Sequence, residues 1–224
     1  MKSSFLEIPY IYWFAGLALL LPRIPVIGKW FNIINTAIHE LGHALMTLCL
    51  EGNVKKIELF NDASGTTTTS TKTKFGSFLV AFIGYPFASA VSYFIFFLLN
   101  AGYEKGFLLG ISILFLFMLL LWIRNIYGFV WILAFCSING YLVYINNVDY
   151  IHIAALLYAV FIAVDALISA LIVLFFSIKQ KDKAGDTTLL KKTTGVPAFI
   201  WGLIFAGFAG FVFYHLFSNF LMIF

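Results

Sequence analysis

Charge is scarce in this chain. Only 11% of its 224 residues are Asp, Glu, Lys or Arg, against about 25% in an average soluble domain. So little polar surface excludes an ordinary water-facing globule. Cysteine is equally sparse: the two present, Cys49 and Cys136, lie in or beside apolar stretches, which excludes a disulfide framework and a cysteine-built zinc knuckle. No internal repeat and no separate polar domain is visible, so residues 1–224 read as a single membrane-embedded unit. The net charge of +4 is modest, and the lysines sit in connections between apolar runs. Nucleic acid is therefore not an expected partner; these lysines orient a chain in a bilayer.

What the chain has instead is 62% hydrophobic residues gathered into long runs. A bilayer core roughly 30 Å thick needs about 20 helical residues to cross it. Seven segments approach or exceed that length, at about 8–27, 30–50, 75–99, 106–123, 126–146, 150–178 and 196–219. The expected fold is an all-α polytopic bundle of six or seven transmembrane helices. The count depends on the first segment, which resembles a secretory signal but runs into Pro22-Arg23-Ile24-Pro25 with no small-residue cleavage site. It reads as a retained segment, bent or broken near its end by the two prolines.

With the N-terminus cytoplasmic and all seven segments crossing, the inside receives Lys2, Lys55, Lys56, Lys72, Lys74, Arg124, Lys179, Lys181, Lys183, Lys191 and Lys192. Only Arg23, Lys29 and Lys105 fall outside. That asymmetry obeys the positive-inside rule and predicts a multi-pass protein of a cell membrane. Between the second and third segments, alternating apolar and β-branched residues flank the turn signal Asn61-Asp62-Ala63-Ser64-Gly65, which predicts a cytoplasmic β-hairpin within about residues 53–74. The charged stretch at about 179–194 reads as a solvated cytoplasmic loop.

Chemistry enters with His39-Glu40-Leu41-Gly42-His43 inside the second segment. On a helix, histidines at i and i+4 project about 40° apart and can share one tetrahedral metal, with the intervening glutamate close by. Zinc suits two neutral imidazoles and lowers the pKa of a bound water towards about 7, where Glu40 can take its proton as general base and return it to a leaving amine. Placing a carboxylate near the centre of a membrane helix costs about 2.5–3.5 kcal/mol on insertion scales, so Glu40 needs a compensating role.

A catalytic zinc takes a third protein ligand. Asp165, in the middle of an apolar segment with no basic residue in its own helix, is the first candidate. Asp149 and Asp186 are rivals whose positions before helical runs also suit ordinary N-caps. His152 and His215 lie near segment ends and fit interfacial roles, while Asn125 and Asn139 fit helix-to-helix hydrogen bonds. Two other classes compete with an enzyme. A non-catalytic metal-binding membrane protein would not need Glu40 beside the metal, and a polar-path transporter would need more polar residues in segments 106–123 and 196–219.

The run His39-Glu40-Leu41-Gly42-His43-Ala44 in a membrane helix is followed by Glu51-Gly52-Asn53-Val54-Lys55-Lys56-Ile57, the threonine-rich hairpin, and Phe82-Ile83-Gly84-Tyr85-Pro86. In this order the sequence resembles the site-2 protease family of intramembrane zinc metalloproteases, especially its smaller bacterial branch. The stretch from Gly185-Asp186-Thr187-Thr188 to Pro197 and Trp201 shares that likeness. The resemblance implies zinc on His39 and His43, Glu40 as base, an aspartate from a later helix as third ligand, and membrane proteins as substrates. The family usually sets that aspartate in Asn-Pro-x-x-Asp-Gly, a pattern not found around Asp165. A substrate helix must unwind before its carbonyl can be attacked, and the hairpin edge offers a place to hold the freed strand. Gly84 and Pro86 are candidates for a gating kink.

Overall fold

In lipid every backbone N–H and C=O must find its partner within the protein, so apolar runs become helices. The computed structural model describes residue 16, residues 27–179 and residues 184–221. The expected bent first segment at about 8–27 lies, apart from residues 16 and 27, outside the described residues. Those described form α1 (Ile27–Cys49), a hairpin of β1 (Asn53–Leu59) and β2 (Gly65–Ser70), then α2 (Lys74–Asn100), α3 (Glu104–Leu121), α4 (Ile126–Ile145), α5 (Val148–Lys179), α6 (Asp186–Thr194) and α7 (Ala198–Leu216), which runs into a π-helical turn at Phe217–Leu221.

Five of these helices, α2, α3, α4, α5 and α7, are long and apolar enough to cross a bilayer. The chain is a multi-pass membrane protein. The helix at 30–50, expected as a further span, is present as the 23-residue α1 but is not among these five. The reason is its polar content, since Asn32, Asn35, Thr36, His39, Glu40 and His43 all lie on it.

Burial sorts the helices. Half of the most apolar window of α5 is buried inside the protein, against 22% for that of α7. Accordingly α5 is the central post, with a continuous buried stretch from Tyr158 to Val164, and α7 is peripheral. Large side chains such as Leu120, Ile126 and Phe211 point outwards, as a lipid-facing surface allows. Facing α5, α1 buries Ile33, Ile34 and Ala37 completely, and Phe31 stacks on Phe161 at 4.5 Å.

The hairpin forms where the turn signal predicted it. Its strands are antiparallel, with Ile57 opposite Thr67 and Leu59 opposite Gly65, and a register irregularity between Val54 and Lys56. At the turn, the Ser64 amide and hydroxyl both donate to the Asp62 carboxylate, at 3.0 and 2.6 Å. Those bonds hold Asp62 below the usual carboxylate range.

The hairpin is not a free flap. Its turn lies back along α1, where the Thr36 hydroxyl donates to the Ala63 carbonyl at 2.7 Å. Nor is the outer edge of β1 open: the Ile57 amide donates to the Trp122 carbonyl at 2.7 Å and the Arg124 amide to the Ile57 carbonyl at 3.2 Å. Asn125 continues this edge with its side-chain amide, which exchanges hydrogen bonds with the backbone of Leu59. Asn125 thus serves the sheet rather than a helix-to-helix contact, whereas Asn139 does bridge helices, donating to Ser112 on α3 at 3.0 Å. Among the described residues β2 pairs with β1 alone, so its second edge stays open.

Candidate metal centre

On α1, the four-residue spacing brings His39 and His43 to one face, with their rings edge to face at 4.6 Å between centroids. Their Nε2 atoms are 3.0 Å apart. The Nδ1 of His43 lies 2.6 Å from the Val80 carbonyl of α2. A carbonyl only accepts, so Nδ1 carries the proton and the Nε2 lone pair faces into the site. Tyr85 packs edge-on against His39 at 4.6 Å and holds its ring from the other side.

The carboxylate that completes this group is Asp186, not Asp165. Asp186 Oδ2 lies 3.1 Å from His39 Nε2 and 3.3 Å from His43 Nε2. Among the described residues, His39, His43 and Asp186 are the group of histidine and acidic side chains whose ligand atoms converge. Asp186 is the first residue of α6, and Gly185 before it adopts φ +56°, a backbone conformation that suits glycine. The preceding turn is pinned by Thr187, whose hydroxyl donates to the Ala184 carbonyl at 2.9 Å, and by the Ala184 amide, which donates to the Thr188 hydroxyl at 2.9 Å. The charged stretch at 179–194 is therefore not wholly solvated: α6 packs on α2 and α7 and buries Thr187, Thr188 and Leu190.

Asp165 has a different partner. Asn35, one turn before His39 on α1, donates to its Oδ2 at 2.9 Å. The other candidates lie away from the centre. His152 faces Glu104 at 3.1 Å, and His215 packs against Phe211 at 4.4 Å. Asp149 sits in the first turn of α5, where the Asn147 side chain accepts from the Tyr150 amide.

Three ligand atoms converge within 3.0–3.3 Å, close enough to share a proton or a metal cation. Tetrahedral zinc, with bonds of about 2.0–2.2 Å, needs ligand atoms roughly 3.4 Å apart, so the spacing and the two-imidazole, one-carboxylate chemistry both fit. Space is also reserved there. A Cβ at Gly84 of α2 would fall 2.5 Å from His39 Cε1 and 2.7 Å from His43 Cε1. Gly84 is the close-approach position that lets α2 lie against the imidazoles, a more specific role than a kink.

Glu40 is 5% exposed and faces the hairpin. The Thr67 hydroxyl of β2 lies 2.6 Å from Glu40 Oε2 and 3.2 Å from the Glu40 carbonyl. Gly65 lies so close that a Cβ there would fall 2.8 Å from Glu40 Oε1. Neither contact is legible in the sequence beyond the threonine run itself. A cavity of about 740 Å³ opens over these groups, walled by α1, the hairpin, the second half of α5 and α6.

The family model described as Peptidase M50B-like matches residues 10–216. The chain belongs to that family. Peptidase M50B-like proteins are part of the site-2 protease family of membrane metallopeptidases, so the expected resemblance holds over nearly the whole chain. No curated protein and no solved structure matches it. The Peptidase M50B-like assignment makes the chain a peptidase, hence a hydrolase, embedded in a membrane.

Proposed function

We propose that this M50B-like peptidase is an intramembrane zinc endopeptidase that cuts membrane-protein substrates, with the metal held by His39, His43 and Asp186. The observation that carries this reading is the convergence of those three donors beside Glu40, a carboxylate on the same helix that is not one of them. When bound, zinc supplies Lewis acidity and brings the pKa of a bound water towards about 7.

The chain's own residues do the rest. Glu40 accepts the water proton and delivers it to the departing amine. Thr67 holds the Glu40 carboxylate in one rotamer through its 2.6 Å hydrogen bond. The Val80 carbonyl and Tyr85 ring keep the two imidazoles oriented. A substrate strand adds along the open edge of β2, whose Thr66, Thr67 and Thr69 line the cavity, and its backbone replaces lost helical hydrogen bonds with sheet ones. The lysine distribution supports a cytoplasmic placement for the hairpin and α6.

The test is cleavage of a reconstituted single-span model substrate. Wild type should cut it, chelation should stop cutting, and zinc should restore it. Glu40→Gln should retain about one zinc per chain yet lose activity by at least about a thousandfold, in line with removing a general base that acts with the metal. A Glu40→Gln variant as active as wild type would sink the assignment.

A further inference from the structure

The open edge of β2 has a definite phase. Ile57 spends its backbone on the far side of β1, its amide donating to the Trp122 carbonyl and its carbonyl accepting from the Arg124 amide. Leu59 does the same with the Asn125 side chain. In an antiparallel ladder a residue points its N–H and C=O to one side, and directly opposed residues alternate between bonded and non-bonded pairs. Ile57 with Thr67 and Leu59 with Gly65 are therefore non-bonded pairs, so Gly65 and Thr67 turn their N–H and C=O outwards. The Phe60 amide, donating to the Ser64 carbonyl at 2.9 Å, gives the same phase from the next pair. Among the described residues the outward groups of Gly65 and Thr67 have no hydrogen-bond partner.

Those groups lie in the cavity wall beside Glu40. Gly65 and Thr67 both line the cavity, and Gly65, having no side chain, presents only backbone to it. On the face towards α1, Thr67 Oγ1 lies 2.6 Å from Glu40 Oε2, and a Cβ on Gly65 would fall 2.8 Å from Glu40 Oε1. The carboxylate thus spans residues 65 to 67 and lies level with Thr66. Thr66 itself is exposed, on the opposite face of the strand.

Resting on the metallopeptidase reading above, we propose that the backbones of Gly65 and Thr67 set the register of the substrate, so that the scissile carbonyl belongs to the residue opposite Thr66. A strand added antiparallel, the more stable pairing, exchanges two hydrogen bonds with Thr67 through one residue and two with Gly65 through the next residue but one. The carbonyls of those two residues are turned into the sheet. The residue between them turns its carbonyl away from β2, free for attack at the level of Glu40. It is the residue before the cut bond. Its side chain leaves on the exposed face with Thr66, whereas the side chains of its two neighbours lie on the α1 face with Gly65 and Thr67. Proline is excluded from both neighbouring positions, because each must donate its N–H.

Two binding measurements test this, with the cut bond located by the masses of the products that wild type releases from the parent peptide. In the first, zinc-loaded full-length Glu40→Gln in detergent is titrated with fluorescent single-span peptides carrying one backbone N-methyl group, stepped through the central positions. Methylation one residue before the residue that precedes the cut bond removes a donor to Thr67 and should weaken binding by at least about tenfold, whereas methylation of the residue that precedes the cut bond should cost less than about threefold. In the second, Thr66→Cys in a Cys49→Ser, Cys136→Ser background is oxidised with peptides carrying a single cysteine. Non-bonded antiparallel pairs bring side chains closest, so cross-linking should peak at the residue before the cut bond. A flat methylation scan, the opposite alternation that parallel addition would give, or a cross-link peak at any other residue overturns the register. If wild type cuts no peptide, the hydrolytic reading fails; a methyl-tolerant residue that is also the one cross-linked to Thr66→Cys would leave the pairing standing.

Discussion

Replacing Gly84 with alanine adds one methyl group where the structure has room for none. The new carbon would sit 2.5 Å from His39 Cε1, 2.6 Å from His39 Nε2 and 2.7 Å from His43 Cε1. Ordinary carbon contacts are about 3.5–4.0 Å, so the imidazoles or α2 must yield by roughly 1 Å. Metal–ligand distances tolerate only about 0.2 Å. Zinc affinity should therefore fall by at least the roughly 10- to 100-fold seen when the supports of metal ligands are disturbed. Overpacking should also cost about 1–3 kcal/mol of stability. The assay is zinc content per chain across buffered free zinc, with thermal unfolding in the same detergent. Gly110→Ala is the control, because nothing lies within 4 Å of a Cβ there; it should bind zinc normally and unfold no earlier, since alanine is favoured over glycine within a helix by about 0.8–1.0 kcal/mol. A Gly84→Ala protein with wild-type zinc affinity would refute the view that this glycine makes space for a metal-holding histidine pair.

Three further outcomes follow from the same geometry. Asp186→Ala should lose zinc at concentrations that saturate wild type, an affinity drop of at least about a hundredfold, or roughly 2.7 kcal/mol; Asp165→Asn should keep zinc within about twofold, and the reverse ranking would move the third ligand back to α5. Thr67→Val should lower kcat by about tenfold or more with zinc content unchanged, as expected for losing a hydrogen bond to a charged group worth about 1.5–3 kcal/mol, and Thr67→Ser should recover most of it; equal losses in both variants would assign Thr67 to packing instead. Asn125→Leu should destabilise the protein by about 1–3 kcal/mol, because the Leu59 amide and carbonyl lose their partner; faster hydrogen exchange at Leu59 is the local readout, and unchanged protection there would contradict it.

Much of the fold is legible in hydropathy. Apolar runs of the required length have one solution in lipid, a helix, and five of the described helices have the length and composition to span. The turn signal at 61–65 likewise marks the hairpin, because a local Asp62–Ser64 hydrogen-bond pair forms it. Where that hairpin goes is another matter. Its packing along α1 joins positions 27 apart, as Thr36 with Ala63, and its pairing with residues 122–125 joins positions 66 apart, as Leu59 with Asn125.

The histidine pair and Glu40 were determined by the sequence itself, since helical spacing alone brings positions 39 and 43 to one face. Hydropathy picked out Asp165 as the third-ligand candidate, whereas the structure pairs it with Asn35. It did not say which aspartate meets the two imidazoles. Asp186 stands in a polar stretch and looks locally like any helix-starting residue, yet it lies 147 positions from His39 and 3.1 Å away in space. Only the docking of α6 against α2, on a turn opened by Gly185, delivers it. The physical reason is range: periodicity reports which side chains share a face of one helix, whereas a side-chain cluster closed by a second helix depends on packing that no local pattern records.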